Sequence, residues 1–316
     1  MRLVCRILLL IVNSQLLLLS GQPVLFGRTA RNAHTQVASI KVKTEVVNFT
    51  VSVTDQQQHA VPGLERTQFE VFEDKSRQQI AYFKVEDAPL SVGIIFDHSG
   101  SMKGKLKQSH AALQAFIDTC HKDDDFFLVG FNHQVDLLAD FTDGDALVSR
   151  LGCAEARGNT ALYDAVYLGI EKVKLGRHRK RVLLIISDGE DNKSHYAYGE
   201  LRKLLKEAEV QVYCLGIGVA FSDGDFPAWS RIILEEIARL TGGRAFFPNS
   251  AAELEEIAAR ISLELRQQYS LGYISSNEQR DGRWRRLRVR VTPPPGMSKL
   301  TVRAKAGYYA ANGNSE

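Results

Sequence analysis

Cysteine is scarce: four residues in a chain of 316. Cys5 lies in the N-terminal leader pattern, leaving Cys120, Cys153 and Cys214, an odd number with no C-x-x-C zinc spacing. Cys214 falls inside an apolar strand pattern and reads as a small packed hydrophobe, while a Cys120–Cys153 bridge stays open in an exported protein. There is little charge of either sign to spare. The formal net charge is +3, and with Arg2 and Arg6 in the N-terminal segment the remainder carries only +1, so no bulk electrostatic case for nucleic acid exists. Long apolar runs are missing after residue 21, which leaves no later segment able to span a bilayer. Several catalytic signatures are missing too. Gly100 to Lys105 lacks the Walker spacing, Gly216-Ile217-Gly218 meets Phe221 where a dinucleotide fingerprint needs glycine, and no G-x-S-x-G elbow occurs.

Residues 1–21 have the form of a secretory signal: Arg2 and Arg6, apolar Ile7 to Val12 and Leu16 to Leu19, then small Ser20-Gly21. Cleavage would place the protein outside the cytoplasm, secreted, periplasmic or on the cell surface; retention would make the segment an anchor. No lipobox follows, because Cys5 precedes the apolar stretch. Residues 22–37 read as a flexible polar segment.

Beyond residue 37 the rhythm of the chain changes twice. Residues 38–88 alternate like half-buried strands, at 40–54, 69–73 and 80–85, with Ala60-Val61-Pro62-Gly63 as a turn. Over 89–268 strands and helices alternate. Strands are expected at 91–97, 126–131, 135–141, 182–188, 210–218 and 244–247, and helices at 105–120, 146–151, 160–175, 198–209, 231–240 and 252–268. Near-continuous apolar runs such as Val182-Leu183-Leu184-Ile185-Ile186 suit a mostly parallel sheet covered on both faces. Thr241-Gly242-Gly243 supplies the glycines that a left-handed helix cap needs. Strand patterns return at 269–274, 284–291 and 299–306, before a short tail at 310–316. Isolated strand trios are marginal. The expected architecture is therefore a doubly wound, Rossmann-like α/β domain inserted in a small all-β sandwich made from residues 38–88 and 269–309.

Oxygen-bearing residues end the apolar strands. Ile94-Ile95-Phe96-Asp97-His98-Ser99-Gly100-Ser101 places one carboxylate and two hydroxyls on a single turn, a set suited to a hard divalent cation. Asn159-Thr160-Ala161-Leu162-Tyr163-Asp164 opens a helical pattern, and Leu183 to Ile186 runs into Ser187-Asp188-Gly189. A plainer reading has Asp97 and Ser99 capping the next helix and Asp188 making an Asx turn. His98 reads as an exposed loop residue. Asp164 stands one helical turn after Thr160 as a supporting or surface group, and Glu190 and Asp191 as a solvated acidic loop.

In order and spacing these three segments resemble the metal-ion-dependent adhesion site of the von Willebrand factor type A family. The β–α/β–β layout resembles the secreted proteins related to that family in Acidobacteria. The resemblance implies Asp97, Ser99, Ser101, Thr160 and Asp188 as metal ligands, with Mg²⁺ ahead of Mn²⁺ or Ca²⁺. It also implies a coordination position left for water or for an acidic side chain of a protein partner. Function is then non-enzymatic, metal-dependent binding. Two rivals stand beside it: a structural or assembly module whose metal only stabilises the fold, and a metal-dependent hydrolase, for which neither a general base nor a second metal is evident. The arginines of Arg283-Trp284-Arg285-Arg286-Leu287-Arg288-Val289-Arg290 alternate with apolar residues, giving a half-buried strand with a solvated basic face, or a surface for an acidic glycan, lipid headgroup or nucleic acid.

Overall fold

The computed structural model describes residues 46–151, 155–218, 227–297 and 299–312. The expected leader at 1–21, the polar segment at 22–37, the start of the first strand segment, most of the tail and Cys153 with its proposed bridge lie outside the described residues.

A six-stranded sheet forms the centre, in the order β10-β9-β8-β5-β6-β7. Its strands are β5 (Leu90–Asp97), β6 (Asp125–Phe131), β7 (Val135–Thr142), β8 (Lys180–Ser187), β9 (Gln211–Gly216) and β10 (Ala245–Phe246). All neighbours are parallel except β7, which returns antiparallel along the β6 edge. Strand periodicity sorts the apolar runs into two cores. Val92, Ile94, Phe96, Val182, Leu184 and Ile186 face α1 (Leu106–Asp118), α2 (Gly144–Leu151) and α6 (Ala251–Arg266). Ile95, Phe127, Val129, Leu183 and Ile185 face α3 (Leu162–Val173), α4 (Tyr198–Glu207) and α5 (Ala228–Thr241). These side chains are fully or almost fully buried, each contributing about 1.5–3 kcal/mol. Burial on both faces is why these strands read as continuous apolar runs rather than alternating ones. Gly242 ends α5 in the left-handed region at φ 83, the cap expected from the glycine pair.

The remaining strands form two antiparallel four-stranded sheets. One has the order β13-β1-β11-β4, from β1 (Val46–Thr54), β4 (Ile80–Glu86), β11 (Gln268–Ile274) and β13 (Thr301–Ala304). The other has the order β14-β12-β2-β3, from β2 (Phe69–Glu73), β3 (Ser76–Gln78), β12 (Trp284–Val291) and β14 (Gly307–Tyr309). Each sheet mixes strands from before and after the α/β region. A third core joins them, with Val51, Phe69, Val71, Ile80, Tyr269, Leu271, Tyr273 and Leu287 at its centre. The Tyr269 hydroxyl donates to the Val61 carbonyl at 2.6 Å and accepts the Leu64 N–H at 3.0 Å, tying the expected turn to β11.

Three local differences from expectation have simple causes. β3 is three residues long and offers no alternation to detect. The strand expected at 299–306 is only β13, because the chain crosses to the other sheet at Lys305-Ala306 and adds β14 beyond the expected bounds. The helix expected from 231 begins at Ala228, behind Pro227, a residue suited to a helix start.

Candidate metal centre

β5 and β8 are neighbours, and their following chains leave toward opposite faces of the sheet: α1 packs in one core, α4 in the other. The carboxyl ends of such a strand pair form the crevice where doubly wound sheets place their sites. In parallel register Phe96 lies beside Ile186, so Asp97 and Ser187-Asp188 arrive together.

Hydrogen bonds fix the first loop. The Ser187 hydroxyl donates to Asp97 Oδ2 at 2.6 Å, the Ser99 N–H donates to Asp97 Oδ1 at 2.8 Å, and the Ser99 and Ser101 hydroxyls are 3.0 Å apart. Asp97 and Ser99 are completely buried. Neither caps α1: that helix starts behind Lys105 with no side-chain cap. Ser99 holds the N-cap position of the short 3-10 turn Gly100–Met102, again with no side-chain cap, so neither residue caps a helix through its side chain. The Asx turn of Asp188 is present, with the Glu190 N–H donating to its Oδ1 at 3.4 Å.

The second and third loops are stitched to the first. Thr160 is buried, its N–H donates to Asn192 Oδ1, and its carbonyl accepts the N–H groups of Asn192 and Lys193, each at 3.0 Å. The Gly100 N–H donates to the Gly158 carbonyl at 2.9 Å, and the Ala161 N–H to the Asn132 carbonyl at 2.7 Å. Gly189 adopts φ +77, and a Cβ there would stand 3.0 Å from Ser230 on α5, so only glycine lets the Asp188 loop press against that helix.

Electrostatically the site is unusual. Burial, then repulsion from Asp188, pushes the Asp97 carboxyl up to about 7, against the opposing donors Ser187 and Ser99. The cation placed beside this pair is Lys105, whose Nζ lies 3.4 Å from Asp188 Oδ2, with both side chains mostly buried. Two buried carboxylates with hydroxyls alongside form an oxygen-only donor set, which fits a hard divalent cation better than a zinc or copper ion. Among the described residues no group of three or more His, Cys, Asp or Glu converges on such a position.

The other motif residues have structural positions. His98 is half-buried rather than exposed, with Nδ1 3.4 Å from Asn132 Nδ2, and burial lowers its pKa. Asp164 accepts the N–H groups of His195 and Tyr196 at 2.9 and 3.0 Å, fastening the loop before α4. Asp191 accepts the Tyr163 N–H at 3.2 Å at the start of α3 and the Ser194 hydroxyl at 2.5 Å, so it is a bonded loop residue, while Glu190 is exposed. Sequence reading passed over Lys105, Ser187, Asn132 and Asn192. Ser187 alone carried a signal, as the hydroxyl before the strand-ending Asp188.

A parallel-centred sheet wrapped by helices, with its crevice at the ends of two central strands, defines a Rossmann-like α/β class. Within that class, this chain belongs to the von Willebrand factor type A domain family, whose model matches residues 91–260. An uncharacterized protein of Synechocystis sp. is 26% identical over 176 residues, 52% of this chain and 39% of the relative. Inter-alpha-trypsin inhibitor heavy chain H2 of Mesocricetus auratus is 24% identical over 226 residues, 65% of this chain and 23% of the heavy chain. The chain thus spans well under half the length of these curated relatives. Among solved structures, a von Willebrand factor type A protein from Catenulispora acidiphila covers 87% of this chain and 76% of its own, at 14% identity and a TM-score of 0.49. No helix among the described residues is long and apolar enough to cross a membrane.

Proposed function

We propose that this is an exported binding protein that engages a protein partner through a divalent cation, with a partner carboxylate completing the metal's oxygen shell. One observation carries the reading: Asp97 and Ser99, completely buried at the end of β5, meet the Ser101 hydroxyl and the Ser187-Asp188 end of β8. A divalent cation would neutralise the two buried carboxylates of that set. Asp97, Ser99, Ser101, Thr160 and Asp188 would hold it, with Mg²⁺ preferred to Mn²⁺ or Ca²⁺ because the donor set is small. Two carboxylates neutralise a divalent ion only formally. An anionic oxygen from outside therefore gains from the remaining field and from the low dielectric around Asp97. Export rests on the leader pattern at 1–21. The reading assigns binding and no catalytic residue.

Calorimetry of the full chain with Mg²⁺ and Mn²⁺, beside Asp97→Ala and Thr160→Ala, tests the metal. Retention of carboxylate-bearing peptides, against their amidated forms and with or without chelator, tests the partner chemistry. One-site metal binding lost in Asp97→Ala, with peptide retention lost in chelator, is the expected result. Metal-dependent stability without retention would assign the site a structural role. Equal metal binding by wild type and Asp97→Ala would remove Asp97 from it.

A further inference from the structure

A second surface lies on the β-sandwich, on the outer face of the β14-β12-β2-β3 sheet. Along β12 the side chains of Arg285, Leu287 and Val289 turn inward, with Arg285 buried against Asp281 at 2.9 Å. Arg286, Arg288 and Arg290 are exposed on the opposite side. Alternate strand residues are spaced by about 6.8 Å, so the three guanidinium groups form a row about 14 Å long. The register adds a fourth: Arg288 pairs with Phe72 of β2, which pairs with Arg77 of β3.

The row is held in place from beneath. Arg290 stacks over the Phe72 ring at 4.9 Å, and Arg77 is steadied by Glu70 at 3.1 Å. Arg286 and Arg288 have no ion pair among the described residues. The carboxylate nearest Arg286 in the chain pairing, Asp74, is already engaged by the Arg286 backbone N–H at 3.0 Å. Arg286 and Arg288 thus stand beside two positioned guanidinium groups, Arg290 along the strand and Arg77 across β2, with Glu70 opposite Arg290 turned to Arg77.

From this arrangement we infer that the outer face of the β14-β12-β2-β3 sheet binds a linear acidic polysaccharide, its carboxylates or sulfates lying along Arg286, Arg288 and Arg290. Arginine presents a fork that fits such oxyanions in pairs. The neighbouring rings speak against the other polyanions. Phe72 is covered by Arg290, while Trp284 is met by Lys206 at 5.0 Å and by the ring of Tyr309 at 5.0 Å. Phe72 and Trp284 are therefore not free to stack single-stranded bases. A bilayer would call for protruding aliphatic anchors, and on the strands of the sandwich the exposed ones, Val46, Val85 and Ile274, belong to the other sheet.

The test uses the full chain and fluorescence anisotropy with a labelled polygalacturonate oligomer. A neutral dextran of similar length, a single-stranded oligonucleotide and anionic vesicles are the comparisons. The expected result is uronate binding that weakens with salt and is lost at least tenfold in the double variant Arg286→Gln/Arg288→Gln. The slope of log affinity against log salt should also fall by roughly one to two. A melting temperature equal to wild type shows that the variant is folded, and persistence of binding in chelator shows independence from the metal centre. Unchanged binding by the double variant, equal binding of dextran, or tighter binding of the oligonucleotide or vesicles overturns the assignment.

Discussion

Lys105 Nζ reaches across the crevice to Asp188 Oδ2 at 3.4 Å, so the loop that supplies Asp97 also supplies a cation against the second carboxylate. A lysine there and a divalent ion would compete for the same charge. Lys105→Met should therefore have opposite effects in two measurements. In chelator its melting temperature should fall, because a buried carboxylate loses its hydrogen-bond partner at a cost of about 1–3 kcal/mol. In calorimetry its Mg²⁺ affinity should rise several-fold. An unchanged affinity would mean that the lysine withdraws freely.

Stability should depend on pH in a distinctive direction. Asp97 has a folded-state pKa of about 7, above that of an unfolded aspartate. Between about pH 4 and about pH 7 the native state holds a proton that the unfolded chain has released. The Asp97 contribution to native stability in chelator should fall as pH rises through that window, by up to about 4 kcal/mol, and level off above it. Saturating Mg²⁺ should flatten the dependence. Urea unfolding of wild type and Asp97→Asn at about pH 5 and about pH 8 reads the effect as a difference; a difference that moves in favour of wild type as pH rises in chelator would show Asp97 ionised and paired.

Ser187→Ala removes the hydroxyl that donates to Asp97 and accepts the Gly189 N–H at 3.0 Å. Two buried groups lose a partner, so a loss of about 1–3 kcal/mol is expected by denaturant titration. The same change should weaken Mg²⁺ binding, because Asp97 loses its orienting bond. Ser187→Thr, which keeps the hydroxyl, should recover part of both.

Deleting residues 269–316 should be far more damaging than its position at the end of the chain suggests. β11 lies between β1 and β4, and Tyr269, Leu271 and Tyr273 are in the sandwich core. The shortened chain should expose Val47, Phe49 and Val51 on an unpaired strand and aggregate. A soluble product with one cooperative melt would refute the shared core.

Much of the fold was legible because the relevant signals are local. Ile94, Ile95 and Phe96 announce a strand buried on both faces, and Asp97 and Asp188 mark the ends of two such strands. The von Willebrand factor type A class follows from those motifs together. The features that stayed hidden depend on residues meeting across the fold. Lys105 looks like any surface lysine until β8 places Asp188 against it. Asn192 becomes a support for Thr160 only when the third loop folds over the second. The capping role open to Asp97 and Ser99 disappeared because a short 3-10 turn, Gly100–Met102, separates them from α1.

The α/β domain enters from β4 and leaves into β11, and these two strands are hydrogen-bonded neighbours in which Gln268 pairs with Glu86. The whole α/β region thus occupies the place of a hairpin loop. For an unstructured chain of that length, bringing the two strands together would carry a loop-closure entropy that must be met before any sandwich contact forms. Once the inserted domain has folded, its two ends already lie side by side and the cost largely disappears. Folding should accordingly be ordered, with the α/β region forming first and the sandwich zipping shut across its base afterwards. Damage to the central sheet would then reach the outer strands as a kinetic failure of assembly, even where no contact of theirs has been touched.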